Sequence, residues 1–499
     1  MFANRVNQKV AVGIVFVLAM FMAIMDITIV NVALPRLATD FGVDPDHIDS
    51  VIVGFLVSLA VFIPASGWLG DRFGMKRILL IALAIFTVAS ALCGLSQSLS
   101  QLVAFRILQG VGGGMLTPVG MALLFRTFPP AERVRASRIL ILPTALAPAI
   151  GPVLGGLLVT DVSWRWVFYV NVPIGIAALV FGTLCVREHK EPEPGTFDLG
   201  GFLLAATGLP ALMYALSQGP SLGWGSPLIL GLGVAGIVLL ALFARYELGH
   251  PQPLIDVRLV ENRLFRTTTA TLFITVGAFL GGLYLLALFF QDGLGLSPLG
   301  SGLSTFPEAL GVMAGSQIST RLYPWIGPRR LMMGGLVGVA TALGLMCLVG
   351  FSTNLWLVRL VMFGLGIAIA HVFIPTQAAA FATISPAATG RASTLFNTAR
   401  QVGSAVGVAI LTTVISAIGV SHVVDGRETA NLAAFHWAFA TAALLALFAL
   451  TFARRVSDAD AAPTMVRTAR AANNAALVEE PAAGETVESG LPVAPATGV

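Results

Sequence analysis

From about residue 10 the chain alternates long apolar runs with short polar breaks. Runs of spanning length fall at about 10–32, 48–69, 77–96, 101–123, 137–159, 165–186 and 198–217, and again at about 226–246, 267–290, 299–320, 330–350, 355–377, 396–418 and 432–453. Each is close to the roughly 20 residues a helix needs to cross a bilayer, so the pattern predicts fourteen transmembrane helices in an all-α integral membrane protein. The first run starts near Lys9 without a small-residue cleavage site and reads as a retained helix, not a signal peptide. The breaks alternate in charge. Arg5/Lys9, Arg72/Lys76/Arg77, Arg126/Arg133/Arg135/Arg138, Arg187/Lys190, Arg245/Arg258/Arg263/Arg266, Arg321/Arg329/Arg330, Arg391 and Arg454/Arg455 occupy every second one, while the others hold only Arg36, Arg165 and Arg427. The positive-inside rule then puts both termini in the cytoplasm, which an even helix count also requires.

An internal echo divides the runs. "LVAFRILQGVGGG" in the fourth is matched by "LWLVRLVMFGLGI" in the twelfth, and "DRFGMKR" after the second by "PWIGPRR" after the tenth. Helices 1–6 therefore correspond to helices 9–14, and helices 7 and 8 form an inserted hairpin. The expected organisation is an N-terminal six-helix half at 1–190, the hairpin and its linkers at 191–262, and a C-terminal six-helix half at 263–455. A disordered cytoplasmic tail is expected at 456–499, where the chain is rich in Ala, Pro and Glu and has no aromatic residue.

Composition strengthens the membrane reading, since 56% of the 499 residues are hydrophobic and only 11% charged. The excess of 29 basic over 25 acidic residues, +4 in all, lies in short loops, so it reports topology and excludes a nucleic-acid partner. Cys93, Cys185 and Cys347 lie in apolar runs without metal-ligand spacing and are read as small core residues; no metal site is expected. No G-x-x-x-x-G-K-[ST] is present to bind ATP, and no intramembrane His/Asp/Glu cluster or Ser/His/Asp arrangement supports an enzyme, so no catalytic residue is expected. A channel is disfavoured because the charges form no ring.

The chemistry lies in the few polar residues inside the runs. Asp26 sits well within "AMFMAIMDITIVNVALP", where an acid costs about 2.5–3.5 kcal/mol on insertion scales. In helix 4, Arg106, Gln109, Gly110, Gly113, Gly114 and Thr117 share one face. Counted from the outer ends of their helices, Arg106 lies about 8 Å deep and Asp26 about 9 Å, so the two charges share a level. They form either a coupling pair that titrates during transport or a static buried ion pair. Glu308, after Pro307, lies near the middle of helix 10 and is either a substrate counter-charge or a silent protonated acid. His371 in helix 12 is either a proton relay or, the favoured reading, a hydrogen-bonded core residue. Asn397 and Gln401 share a face of helix 13 with Ser404 and Val408, which with Gln109, Glu308 and His371 gives the expected substrate cavity. In helix 5, "PTALAPAIGPVLGG" places small residues four apart for close packing.

Several of these strings resemble a known family. "GWLGDRFGMKR" fits G-x-L-x-D-R-x-G-x-x-R, which resembles the signature of the major facilitator superfamily; Gly67 and Gly74 permit the tight turn it needs. The resemblance implies a conformational latch built from Asp71 with Arg72 and Arg77. Pro324 stands at the acid's place in the second copy, so no matching latch acid is expected there. "DITIVNVALP" and "RILQGVGGG" resemble motifs linked to proton coupling, which implies that role for Asp26 and Arg106. "GPVLGG" resembles the antiporter motif, carried here by Pro148, Gly151, Pro152, Gly155 and Gly156, with Ala147 where glycine is often found. "WRWVFYVNVPIG", with Asn171 at the expected outer interface, and "FNTARQVGSAVGVAI" resemble the fourteen-helix drug:H+ antiporters, the likeness covering about residues 10–455. It implies the major-facilitator fold and a monomeric multidrug efflux antiporter of the plasma or inner membrane. Such a protein would export small amphipathic or cationic compounds, driven by the proton gradient and without a cofactor. A dedicated exporter or flippase of a lipid, siderophore or secondary metabolite shares all these motifs and remains the alternative.

Overall fold

The computed structural model describes residues 7–43, 48, 50–192, 195–424 and 427–465. Long helices follow the apolar runs in order: α1 (Gln8–Phe41), α2 (Ser50–Phe73), α3 (Met75–Leu95), α4 (Leu99–Thr127), α5 (Arg133–Asp161), α6 (Trp166–Cys185) and α7 (Leu199–Leu222). They continue with α8 (Pro227–Gly249), α9 (Arg263–Leu288), α10 (298–326), α11 (328–346), α12 (Leu355–Ala380), α13 (Thr389–Ile418) and α14 (Leu432–Ala453). The boundary between α10 and α11 is Gly327, whose φ of 81° and ψ of 162° break an otherwise continuous helical stretch. Among the described residues twelve candidate spans satisfy length and hydropathy, and one of these contains both α10 and α11.

Helices form here because a backbone removed from water must satisfy its own hydrogen bonds. Their starts are marked by polar side chains. Ser98 caps Gln101 N, Asn262 caps Phe265 N, Ser297 caps Gly300 N and Asn354 caps Trp356 N. Pro64, Pro118 and Pro375 lie inside spans, where neighbouring helices compensate the lost donor. Between α13 and α14, where only a connection was expected, a two-stranded antiparallel hairpin forms, β1 (Ser421–Val424) with β2 (Arg427–Ala430), in the register Ser421↔Ala430.

Glycines set the packing. A side chain at Gly110 or Gly114 of α4 would run into the backbone of Phe55 or Leu59 in α2, and one at Gly112 into Ala82 of α3. α10 and α12 meet in the same way at Gly311, Gly315 and Gly366, and α9 and α13 at Gly277, Gly403 and Gly407. Thus α1 packs on α5 as α9 packs on α13, and α2 on α4 as α10 on α12, which is the internal repeat made physical. The inserted hairpin leans on both halves: α7 lies against α2 and α13, with Ala60, Ala205, Leu209 and Met213 between them.

The expected tail begins differently. Residues 456–465 fold back beneath the α10–α11 turn, burying Val456, Ala461 and Thr464. Tyr323 Oη and Thr464 Oγ1 lie 2.7 Å apart, and Asp458 Oδ1 accepts from Arg329 N at 2.9 Å. The expectation of disorder from 456 is therefore corrected for these ten residues, because they have partners; residues 466–499 lie outside the described residues.

Candidate functional site

Asp26 is fully buried in α1, and the structure brings Arg106 to it. Arg106 Nη1 donates to Asp26 Oδ2 at 2.5 Å, while Gln109 Nε2 and Asn171 Nδ2 donate to Oδ1 at 2.8 and 2.9 Å. Arg106 also bonds Gln109 Oε1 and the Val51 carbonyl, and its guanidinium lies 4.3 Å from the Phe55 ring centroid. Asn171 further donates to Ser90 Oγ. Five helices of one half, α1, α2, α3, α4 and α6, thus converge on one carboxylate. A buried pair broken by deleting one partner costs about 3–5 kcal/mol, because the surviving charge stays desolvated.

Two expectations change here. Gln109, read as cavity lining, is fully buried and spent on Asp26, since i+3 on a helix returns it to the face of Arg106. Asn171, expected at the outer interface, is fully buried in the cluster, where its amide is spent on Asp26 and Ser90. The rule that flags a polar residue inside an apolar run would have found it.

The second group lies at the end of the bundle bearing the α2–α3 and α4–α5 turns. Asp71 is 4% exposed and accepts from Arg126 Nη2 of α4 at 3.0 Å, and Arg126 Nε donates to the Pro386 carbonyl of the other half at 3.1 Å. The Asp71 carboxylate also faces Gly390 in the first turn of α13, where free amide groups favour an anion. At Gly67 a side chain would meet Thr394 Oγ1 and the Gly390 carbonyl, so glycine is what lets α2 touch α13. Asp71 therefore does join the halves, but its arginine is Arg126. Arg72 is exposed because the next residue on a helix points about 100° away, and Arg77 contributes its backbone N–H to Glu188 Oε2 at 3.1 Å. Gly74, with φ of 103°, supplies the turn, and Glu188 lies directly against it.

Further contacts close this end. Ser393 Oγ donates to the Pro118 carbonyl at 2.7 Å, Arg138 Nη1 to Gln317 Oε1 at 2.8 Å, and Phe125 stacks on Phe381 with centroids 4.4 Å apart. Asn397, read as cavity lining, is 2% exposed within this contact, bonded to the Ser393 carbonyl and touching Met121. In this closed arrangement it faces protein rather than an open cavity. Gln401, one turn further on, is only partly buried.

The remaining expected residues are dispersed. Glu308 is 5% exposed on α10 and its Oε1 has no partner among the described residues. His371 Nδ1 lies 2.7 Å from the Ile367 carbonyl, the bond of a structural histidine. In α5, Gly151 and Gly155 allow close approach to Thr28 and Ile29 of α1, whereas a side chain at Gly156 would meet nothing within 4 Å, so only part of the small-residue stripe needs glycine for packing. The side chains of Pro148 and Pro152 lie outside the described residues. Sequence reading counted Arg126 only as a loop charge and passed over Arg400.

The comparisons with known proteins agree with this geometry. Residues 16–408 match the Major Facilitator Superfamily profile. The putative multidrug resistance protein MdtD of Serratia proteamaculans (strain 568) is 32% identical over 468 residues, covering 93% of this chain and 95% of that protein. The protein of the same description from Salmonella heidelberg (strain SL476) is 34% identical over 451 residues, covering 88% and 94%. Among solved structures, the human organic anion transporter MFSD10 superposes with a TM-score of 0.61 at 16% identity, covering 90% of this chain and 99% of that one, which shows a shared fold. Two pseudo-repeated halves, the matching profile and relatives aligned over nearly their whole length establish that this chain belongs to the major facilitator superfamily, whose members carry small molecules across membranes.

Proposed function

We propose that the protein is a proton-coupled exporter of small amphipathic compounds, in line with the multidrug resistance description of its relatives. The observation that carries the reading is Asp26, a buried carboxylate bonded to Arg106, Gln109 and Asn171. Protonating Asp26 would leave Arg106 buried without a counter-ion, so proton uptake and a shift of α1 against α4 are linked. The basic loops put the closed end in the cytoplasm, so the observed state is closed inward. One chain carries both halves and acts as a monomer, and the proton gradient supplies the drive without a cofactor. Glu308, whose Oε1 has no partner among the described residues, is the counter-charge for a cationic cargo. Purified protein in liposomes with a pH gradient tests the reading: rhodamine 6G should move against the proton flux, and dye movement indifferent to the gradient would overturn it.

A further inference from the structure

Arg400 is an arginine within the α13 span that, unlike Arg106 and Arg126, is not matched to an acid among the described residues. It lies 11 residues past Thr389, the first residue of α13, or about 16 Å along the axis and so near the middle of a roughly 30 Å hydrocarbon core. Arg106 has Asp26 and Arg126 has Asp71. Arg400 has no hydrogen-bond or ion-pair partner among the described residues, and it is only partly buried. A guanidinium keeps its charge at any physiological pH, so it cannot lower its cost by losing a proton.

The faces of α13 fix where it points. Ser393 and Asn397 meet the N-terminal half, Gly403 and Gly407 meet α9 at Phe273 and Gly277, and Leu395, Val402 and Ala405 pack toward α7. At about 100° per residue, Arg400 falls between the first two faces, turned to the space between the halves on its α9 side and away from lipid. The parallel register that pairs Gly277 with Gly407 and Phe273 with Gly403 brings Thr269 level with Ala399 and Arg400. The Thr269 hydroxyl is buried and has no partner among the described residues. Two unspent donors thus share one level of the α9–α13 contact, on the side turned toward the N-terminal half.

We propose that Arg400, assisted by Thr269, binds the anionic group of the cargo, a carboxylate or sulfonate on an amphipathic organic anion or zwitterion. The planar guanidinium offers parallel N–H donors that match such a group, and an anion there offsets the cost of an unpaired charge in the membrane. The proposal rests on the exporter reading and refines its substrate class, extending it beyond cations.

The probes are carboxyfluorescein, its methyl ester and rhodamine 6G, measured for binding to purified full-length protein and for exchange in liposomes. Carboxyfluorescein should bind at least about tenfold more tightly than its ester. Arg400→Gln should abolish that preference and leave rhodamine 6G binding unchanged, Arg400→Lys should keep part of it, and Thr269→Val should reduce it. Equal binding of acid and ester by the unaltered protein overturns the proposal whether or not any variant folds. Equal loss of all three probes in Arg400→Gln and Arg400→Lys also overturns it, by giving Arg400 a structural role. Rhodamine–proton exchange separates the two readings: it persists if only the Arg400 assignment fails and is absent if the proton-coupled reading itself fails.

Discussion

Asp26→Asn changes one oxygen to an amide at nearly constant shape, so it removes the charge and little else. The new amide also points a donor toward Arg106 or toward Gln109 and Asn171, which all donate to Asp26. Gradient-driven rhodamine 6G export should fall at least a hundredfold while the variant still inserts and elutes as a folded protein; dye–proton exchange at the normal rate would assign the pair a static role. Glu308→Gln should weaken a cationic dye about tenfold and spare a neutral analogue, because an ion pair counts for more in a partly dry cavity than in water. Binding of both ligands at one pH checks this. Equal losses would indicate a packing defect at the α10–α12 contact, where the Glu308 backbone already lies against Gly366.

At the scale of elements, the two halves fasten their second-to-third helix turns alike. In the first, Gly74 turns the chain and Glu188, just past α6, accepts from Lys76 N at 2.9 Å and Arg77 N at 3.1 Å. In the second, Gly327 turns the chain and Asp458, just past α14, accepts from Arg329 N. Each half thus uses the segment after its sixth helix to place an anion on the free amides at the start of its third. Asp458→Ala should cost about 1 kcal/mol, the usual worth of such a cap. It should also speed trypsin cleavage after Arg455 by loosening residues 456–465, and an unchanged cleavage rate would show that the buried Val456, Ala461 and Thr464 suffice. Asp71→Asn acts on the other side of the first turn. It should slow turnover about tenfold with little change in dye affinity, because Asp71 lies in the closed contact that holds α2 and α4 to α13. A normal turnover rate with tenfold weaker binding would contradict it.

For the whole molecule, Asp71–Arg126–Pro386, Ser393–Pro118, Arg138–Gln317 and Phe125–Phe381 join the halves at one end. An exporter that alternates must break them together to load cargo from inside. Spin labels at the exposed Ala131 and Ala387, one in each half, should report one distance in the observed state and a second, longer population when opening is favoured by Gly67→Leu, as a rigid-body movement of the halves requires. A single unshifted distance in that variant would mean that the Gly67 contact does not govern closure.

The hydrophobic pattern by itself determined the helices, their order and the repeat, because a lipid-facing backbone has almost no alternative to the helix and each run is long enough to span. It also located Asp26 and Arg106 at one depth, since rise per residue is fixed along a helix. Depth carries no information about direction around the bundle. Gln109 and Asn171 therefore entered the Asp26 cluster, Arg126 became the partner of Asp71, and Asn397 was covered by Met121 only once the helices packed. Arg400 was visible as an arginine within an apolar run, but its lack of a partner is a property of all its neighbours. The fold of residues 456–465 was likewise decided in three dimensions, since Asp458 and Thr464 find their partners at Arg329 and Tyr323, more than a hundred residues earlier in the chain.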